Sequence, residues 1–178
     1  MPLMRDEPRD HASRADEPAA QDPLDPDSQR KIRERVTNLA FDSDSRRFDE
    51  FVRVLGEATP EGVQVILRGS AVTGHKWRSD EPFDADGPGT SDLDVTFVGG
   101  DMVTLFREFH IPGIHSVPLS EKHPFASPTL APLRKRLCAM VDRAVNLQAT
   151  TSLVQYVRDV TMDQPYLVLL EKPKADDL

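Results

Sequence analysis

The sequence predicts an α/β (α+β) domain, a small mixed β-sheet backed by helices and extended by a C-terminal β-hairpin. Three observations carry that expectation. Two amphipathic helical segments precede the first strand-like run. Two short runs, "GVQVILRG" and "DLDVTFV", are rich in β-branched and apolar residues and are bounded by glycine and polar residues. Near the end, "SLVQYVRDV" and "YLVLLE" flank the turn sequence "TMDQP" and read as paired strands.

Residues 1–27 are rich in Asp-Pro and Glu-Pro pairs and poor in apolar side chains, so they are expected to be a disordered acidic tail. In "DSQRKIRERVTNLAF", Ile32, Val36, Leu39 and Ala40 share one helical face, with Asp27 or Ser28 as the cap. "SRRFDEFVRVLGEA" lines up Phe48, Phe51, Val52 and Leu55 in the same way. The first strand then ends at Gly69. His75 to Thr90 form a long polar loop with Gly and Pro clustered in "DADGPGT". After the second strand, Asp101 caps a short helix through "MVTLFREF". Residues 111–128 are rich in Pro and His, with "GIHSVPL" as a candidate strand. "TLAPLRKRLCAMVDRAVNLQ" reads as the clearest helix, its stripe running through Leu130, Leu133, Leu137, Met140, Val141, Ala144 and Val145. Residues 28–172 make one domain on this reading, and 173–178 are a frayed end.

A chain of 178 residues is long enough for one domain with a real core. Its net charge is −8, of which −5 falls within residues 1–28, so the domain itself is only mildly acidic. Such a surface has no general field for long nucleic acid. Cys138 is the one cysteine, which rules out an intramolecular disulfide and suits a reducing, cytoplasmic setting. No apolar run approaches the roughly 20 residues that span a bilayer. The start of the chain lacks the apolar stretch of a signal peptide.

The chemistry concentrates in the two strand-like runs. Side chains alternate along a strand, so Asp92 and Asp94 share one face while Leu93, Val95 and Phe97 take the other. Two adjacent carboxylates repel unless a cation lies between them, and Mg²⁺ commonly takes one or two carboxylates together with phosphate oxygens. Most bare Asp-x-Asp pairs at a strand mouth are merely solvated. Here the pair comes after a strand that ends in Gly69-Ser70, where glycine permits a sharp turn and the close approach of a ligand.

Together, "VILRGSAVTG" and "SDLDVTFV" resemble the polymerase-β-like nucleotidyltransferase superfamily, over residues 62–98. The resemblance implies a nucleotidyltransferase-like core. In it Gly69 and Ser70 hold the phosphates of a nucleoside triphosphate such as ATP, and Asp92 and Asp94 hold Mg²⁺. A nucleoside monophosphate would pass to a hydroxyl of a protein or small-molecule acceptor. Active members also carry a third carboxylate on a later strand, and two placements for it compete. If "GIHSVPL" is the third strand, the position falls to His115 or Ser116, and His is a poor Mg²⁺ ligand. If "LVQYVRDV" is the third strand, Asp159 supplies the acid, with Glu171 a weaker candidate. An incomplete set implies the alternative function, a weak or inactive nucleotidyltransferase-fold protein acting by contact, such as an antitoxin. His75, Lys76, Arg78 and Trp77 are candidate contacts to phosphate or base, although a mobile surface loop is the more ordinary explanation for them. Arg134, Lys135 and Arg136 read as a solvated face, and the five histidines show no metal-ligand spacing.

Overall fold

The computed structural model describes residues 25–177. The expected acidic tail lies outside the described residues up to position 24. Asp25 to Asp27 belong instead to the start of the first helix, α1 (Pro26–Ala40), which begins two residues earlier than expected. Asp25 is the cap, its carboxylate accepting from the Ser28 amide at 2.9 Å, and Pro26 occupies the first helical position, where a missing N–H costs nothing. The second helix, α2 (Ser45–Ala58), is capped by Asp44, which accepts from the amides of Arg46 and Arg47.

Six strands form one mixed sheet. They are β1 (Gln64–Arg68), β2 (Leu93–Val98), β3 (Phe109–Ile111), β4 (His115–Ser116), β5 (Val145–Thr150) and β6 (Leu167–Glu171), in the order β3-β4-β5-β2-β1-β6. Only β2 and β5 run parallel; every other neighbouring pair is antiparallel. The mixed α/β architecture is therefore as the sequence predicts.

Alternation divides the sheet into two unlike faces. Val65, Leu67, Leu93, Val95, Phe97, Val145, Leu147 and Ala149 join Ile32, Val36, Phe48, Phe51, Leu55 and Leu137 in the main core. Helices α1, α2 and α5 (Ala131–Val141) cover this side. The opposite face carries Arg68, Asp92, Asp94, Thr96, Asn146, Gln148 and Thr150. A short helix, α6 (Leu153–Asp159), covers its far half with Tyr156, which packs with Ile66 and Tyr166 in a second cluster.

Two expectations are overturned here. "SLVQYVRDV" is a helix and not a strand, so there is no C-terminal hairpin among the described residues. Its β-branched content suggested a strand, but Ser152 caps it, the side-chain oxygen accepting from the Gln155 amide at 3.3 Å. The long C-terminal helix ends at Val141, because Asp142 adopts the left-handed conformation at φ 52°. Three residues later the chain enters β5, which pairs with β2.

On the β6 edge, α1 does more than pack. Gln29 accepts from the Val168 amide at 2.8 Å and donates to the Tyr166 carbonyl at 2.9 Å. Among the described residues no helix is long and apolar enough to cross a membrane.

Candidate functional site

The two sequence motifs meet through the antiparallel pairing of β1 and β2, which sets Arg68 opposite Asp94. The chain leaves β1 at Gly69, whose φ of 86° and ψ of −159° lie in a region open to glycine almost alone. A Cβ here would come within 2.9 Å of the Asp94 carboxylate oxygen Oδ2. Glycine is thus required twice, by the backbone and by the closeness of the carboxylate. Ser70 opens the single turn α3 (Ser70–Thr73), which packs against α1, and Arg35 donates to the Val72 carbonyl at 2.7 Å.

Parallel pairing of β2 and β5 puts Asn146 level with Asp94. The Asn146 amide Nδ2 donates to Asp94 Oδ1 at 3.0 Å and to Asp92 Oδ2 at 3.1 Å. One neutral side chain therefore bridges the two carboxylates. Partial desolvation, with the negative charges of Asp94 and Glu121, raises the Asp92 carboxyl above the usual range against the Asn146 hydrogen bond and the Arg134 charge. On the other flank, Arg68 Nη1 lies 3.9 Å from Asp94 Oδ2. Arg68 is itself held by Tyr156, to whose hydroxyl oxygen its Nε donates at 2.5 Å. The Tyr156 hydroxyl donates to Gln148 Oε1 at 2.8 Å and lies 2.8 Å from the Thr96 hydroxyl, so a buried polar network runs from the carboxylates to α6.

Of the sequence-predicted residues, Gly69, Asp92 and Asp94 come together, and Ser70 follows Gly69 at the start of α3. Asp159 does not join them. It sits at the end of α6 with Oδ2 3.7 Å from His115 Nε2 and Oδ1 2.8 Å from Arg158 Nε. His115 pairs with Thr150, four residues along β5 from Asn146, or about 13 Å at strand rise. His115 is fully buried, with Nδ1 2.8 Å from the Thr150 hydroxyl, and Ser116 is equally buried. Neither stands beside the carboxylates. Glu171 ends β6 opposite Gln64, at the far end of β1 from Gly69. The side chain that stands beside both carboxylates is Asn146, which sequence reasoning missed. The alternation Val145, Leu147, Ala149 against Asn146, Gln148, Thr150 was the available signal.

The 75–90 loop is tied down. Asp84 takes two hydrogen bonds from Arg143, at 2.9 and 3.0 Å, and accepts from the amides of Ser91 and Gly89. The clip joins the residues just before Asp92 to those just before Asn146. Lys76 pairs with Asp86 and Glu81, while Trp77 stands 65% exposed at the loop tip. Among the described residues, no three His, Cys, Asp or Glu side chains gather as a metal-holding group.

Comparison with protein-family models, with curated proteins and with solved structures returns no match.

Proposed function

We propose that the chain binds a nucleoside triphosphate together with Mg²⁺ at the Gly69–Asp94 edge of the sheet, and that it transfers a nucleotidyl group slowly or not at all. The observation that carries this reading is Asn146 bridging Asp92 and Asp94 in the row where a nucleotidyltransferase-like site has its third acid. Asp92 and Asp94 are hard oxygen donors that suit one Mg²⁺, and Asn146, whose Nδ2 faces them, would add a neutral oxygen once its amide turned over. The set fits a single cation better than two. Bound Mg²⁺ would neutralise triphosphate charge. The chain's own residues would do the rest, with Gly69 admitting phosphate oxygens close to the backbone and Arg68 fixing Asp94. A nucleoside triphosphate and Mg²⁺ as ligands are at home in the cytoplasm. The wider partner on this reading is a protein or small molecule recognised by contact, as for an antitoxin.

Calorimetric titration of the four ribonucleoside triphosphates with Mg²⁺ tests it. Binding should depend on Mg²⁺ and vanish in Asp92→Ala/Asp94→Ala, while pyrophosphate release stays at background. No binding to the wild type at millimolar nucleotide would sink the proposal.

Active transfer to an acceptor is the second reading. A cavity lined by Asp92 and Asn146 favours it, because an acceptor hydroxyl there would face the carboxylates from the side away from Gly69. Robust pyrophosphate release by the wild type would select it.

A further inference from the structure

The cavity against Asp92 and Asn146 has a volume of about 380 Å³. It lies on the β5 side of these residues, whereas Gly69 lies on the β1 side. This size suits a small molecule. Its outer wall is the segment after β4, which is irregular yet firmly held. Leu119 and Leu147 exchange backbone hydrogen bonds at 2.7 and 3.1 Å. His123 Nδ1 lies 3.1 Å from Glu108 Oε2, and its carbonyl accepts from Ser120 and Ala126. The cavity therefore exists before any ligand arrives.

Its lining carries two kinds of group. Asp92, Glu121 and Ser120 offer oxygen acceptors; Lys122, His110 and His123 offer donors with actual or available positive charge. A second cavity of about 680 Å³ continues from it across Glu121 and Ala144, adding Arg134 and Lys135. Arg134 is anchored by Nε to the Val145 carbonyl at 2.8 Å, and its charge reaches Asp92. The salt bridges among the described residues use none of Lys122, Arg134 or Lys135. Carboxylates that accept from hydroxyls, set beside uncommitted cations, complement a ligand bearing both hydroxyls and a phosphate.

We infer that this cavity is a binding site for a small phosphorylated sugar or polyol, its hydroxyls on Asp92, Glu121 and Asn146 and its phosphate on Lys122 and the two imidazoles. The inference extends the nucleotide reading by giving Asp92 a hydroxyl-bearing neighbour. The sugar-phosphate titration itself contains no nucleotide or Mg²⁺, so the failure of either reading stands apart from the other.

The experiment is a titration of the full chain with glucose 6-phosphate, monitored through the ring resonances of the five histidines. The expected result is saturable shifts of His110 and His123 at millimolar ligand, with His75 unmoved. Lys122→Ala, a change at an exposed side chain, should weaken binding about fivefold, the factor for one modest ion pair. Lys122 lies on the β5 side, away from Gly69, so the variant's ATP affinity with Mg²⁺ should not change. Absence of saturable shifts up to about 10 mM, a concentration that detects even millimolar affinity, would overturn the inference. Equal shifts with inorganic phosphate, meaning an anion site only, would overturn it as well. So would tighter binding of spermidine, which would show that the carboxylates dominate.

Discussion

Replacing Asn146 by Asp separates the roles of charge and shape at the centre of the site. The side chain keeps its size, but the amide that donates to Asp94 at 3.0 Å and Asp92 at 3.1 Å becomes a third carboxylate. Two hydrogen bonds to charged groups are lost, each worth about 1.5–3 kcal/mol. Two like-charge contacts near 3 Å replace them, each about 5 kcal/mol of repulsion at an effective dielectric constant of 20. Asp92 is open to solvent and can take up a proton, so the realised cost at neutral pH is capped well below that sum, at roughly 3 kcal/mol. For a chain of this size that lowers Tm by about 6–12 °C. Thermal unfolding in a chelating buffer reads it directly. Acidifying toward pH 5 should restore part of the loss, because protonation removes one charge. Saturating Mg²⁺ should restore about 2–3 kcal/mol in the variant and far less in the wild type, the amount expected at roughly a hundredfold excess over Kd. If Asn146→Asp in chelator melts within a degree or two of the wild type, Asn146 is not the bridge described. If it melts low but ignores Mg²⁺, the three side chains do not make a cation site.

The same geometry sets three further outcomes. Gly69→Ala adds a Cβ 2.9 Å from Asp94 Oδ2 at a glycine-only backbone conformation; it should cost about 1–3 kcal/mol in denaturant unfolding and reduce Mg²⁺-dependent nucleotide binding at least tenfold. Asp159→Asn should leave that binding within about twofold of wild type, and a larger loss would return Asp159 to the site its sequence position suggested. Arg143→Ala removes the charge partner of the partly buried Asp84, which keeps only the Ser91 and Gly89 amides, and should destabilise by about 2 kcal/mol. Desolvation works against the Asp84 charge, but the Arg143 hydrogen bonds and the amides of Ser91 and Gly89 outweigh it and hold its carboxyl below the usual value. Its stabilisation is therefore complete above the ordinary carboxylate pKa near 3.9 and is lost as pH falls through the lower folded value. An acid titration of Asp84→Asn should lack that part of the wild-type stability loss.

How much of the fold and site is legible in the sequence depends on the range of each signal. Gly69-Ser70 and Asp92-Asp94 could be found because each is a local signature, and the strands carrying them pair directly. Asn146 escaped because the apolar stripe of α5 continues in helical register through Ala144 and Val145, so the switch from period 3.6 to period 2 was masked. One left-handed residue, Asp142, makes that switch. The helix α6 was read as a strand because Val154, Val157 and Val160 favour extended chain, yet Val154 is 79% exposed and has no cross-strand partner to reward it. The Ser152–Gln155 spacing is the local signal that favours the helix. The Asp84–Arg143 clip joins residues 59 apart, and no local pattern announces such a pair.

The side chain of Gln29 has a consequence outside the site. By answering the Val168 amide and the Tyr166 carbonyl, it does for β6 what a neighbouring strand would do. An open sheet margin is a template on which another molecule can add its own strand. Here a single amide from α1 imitates that partner at Val168 and Tyr166, so a second strand pairing at this point would have to displace Gln29. The cover on this margin is in this respect tied to the seating of the first helix, and a change that loosens α1 should show up as self-association before it appears as unfolding.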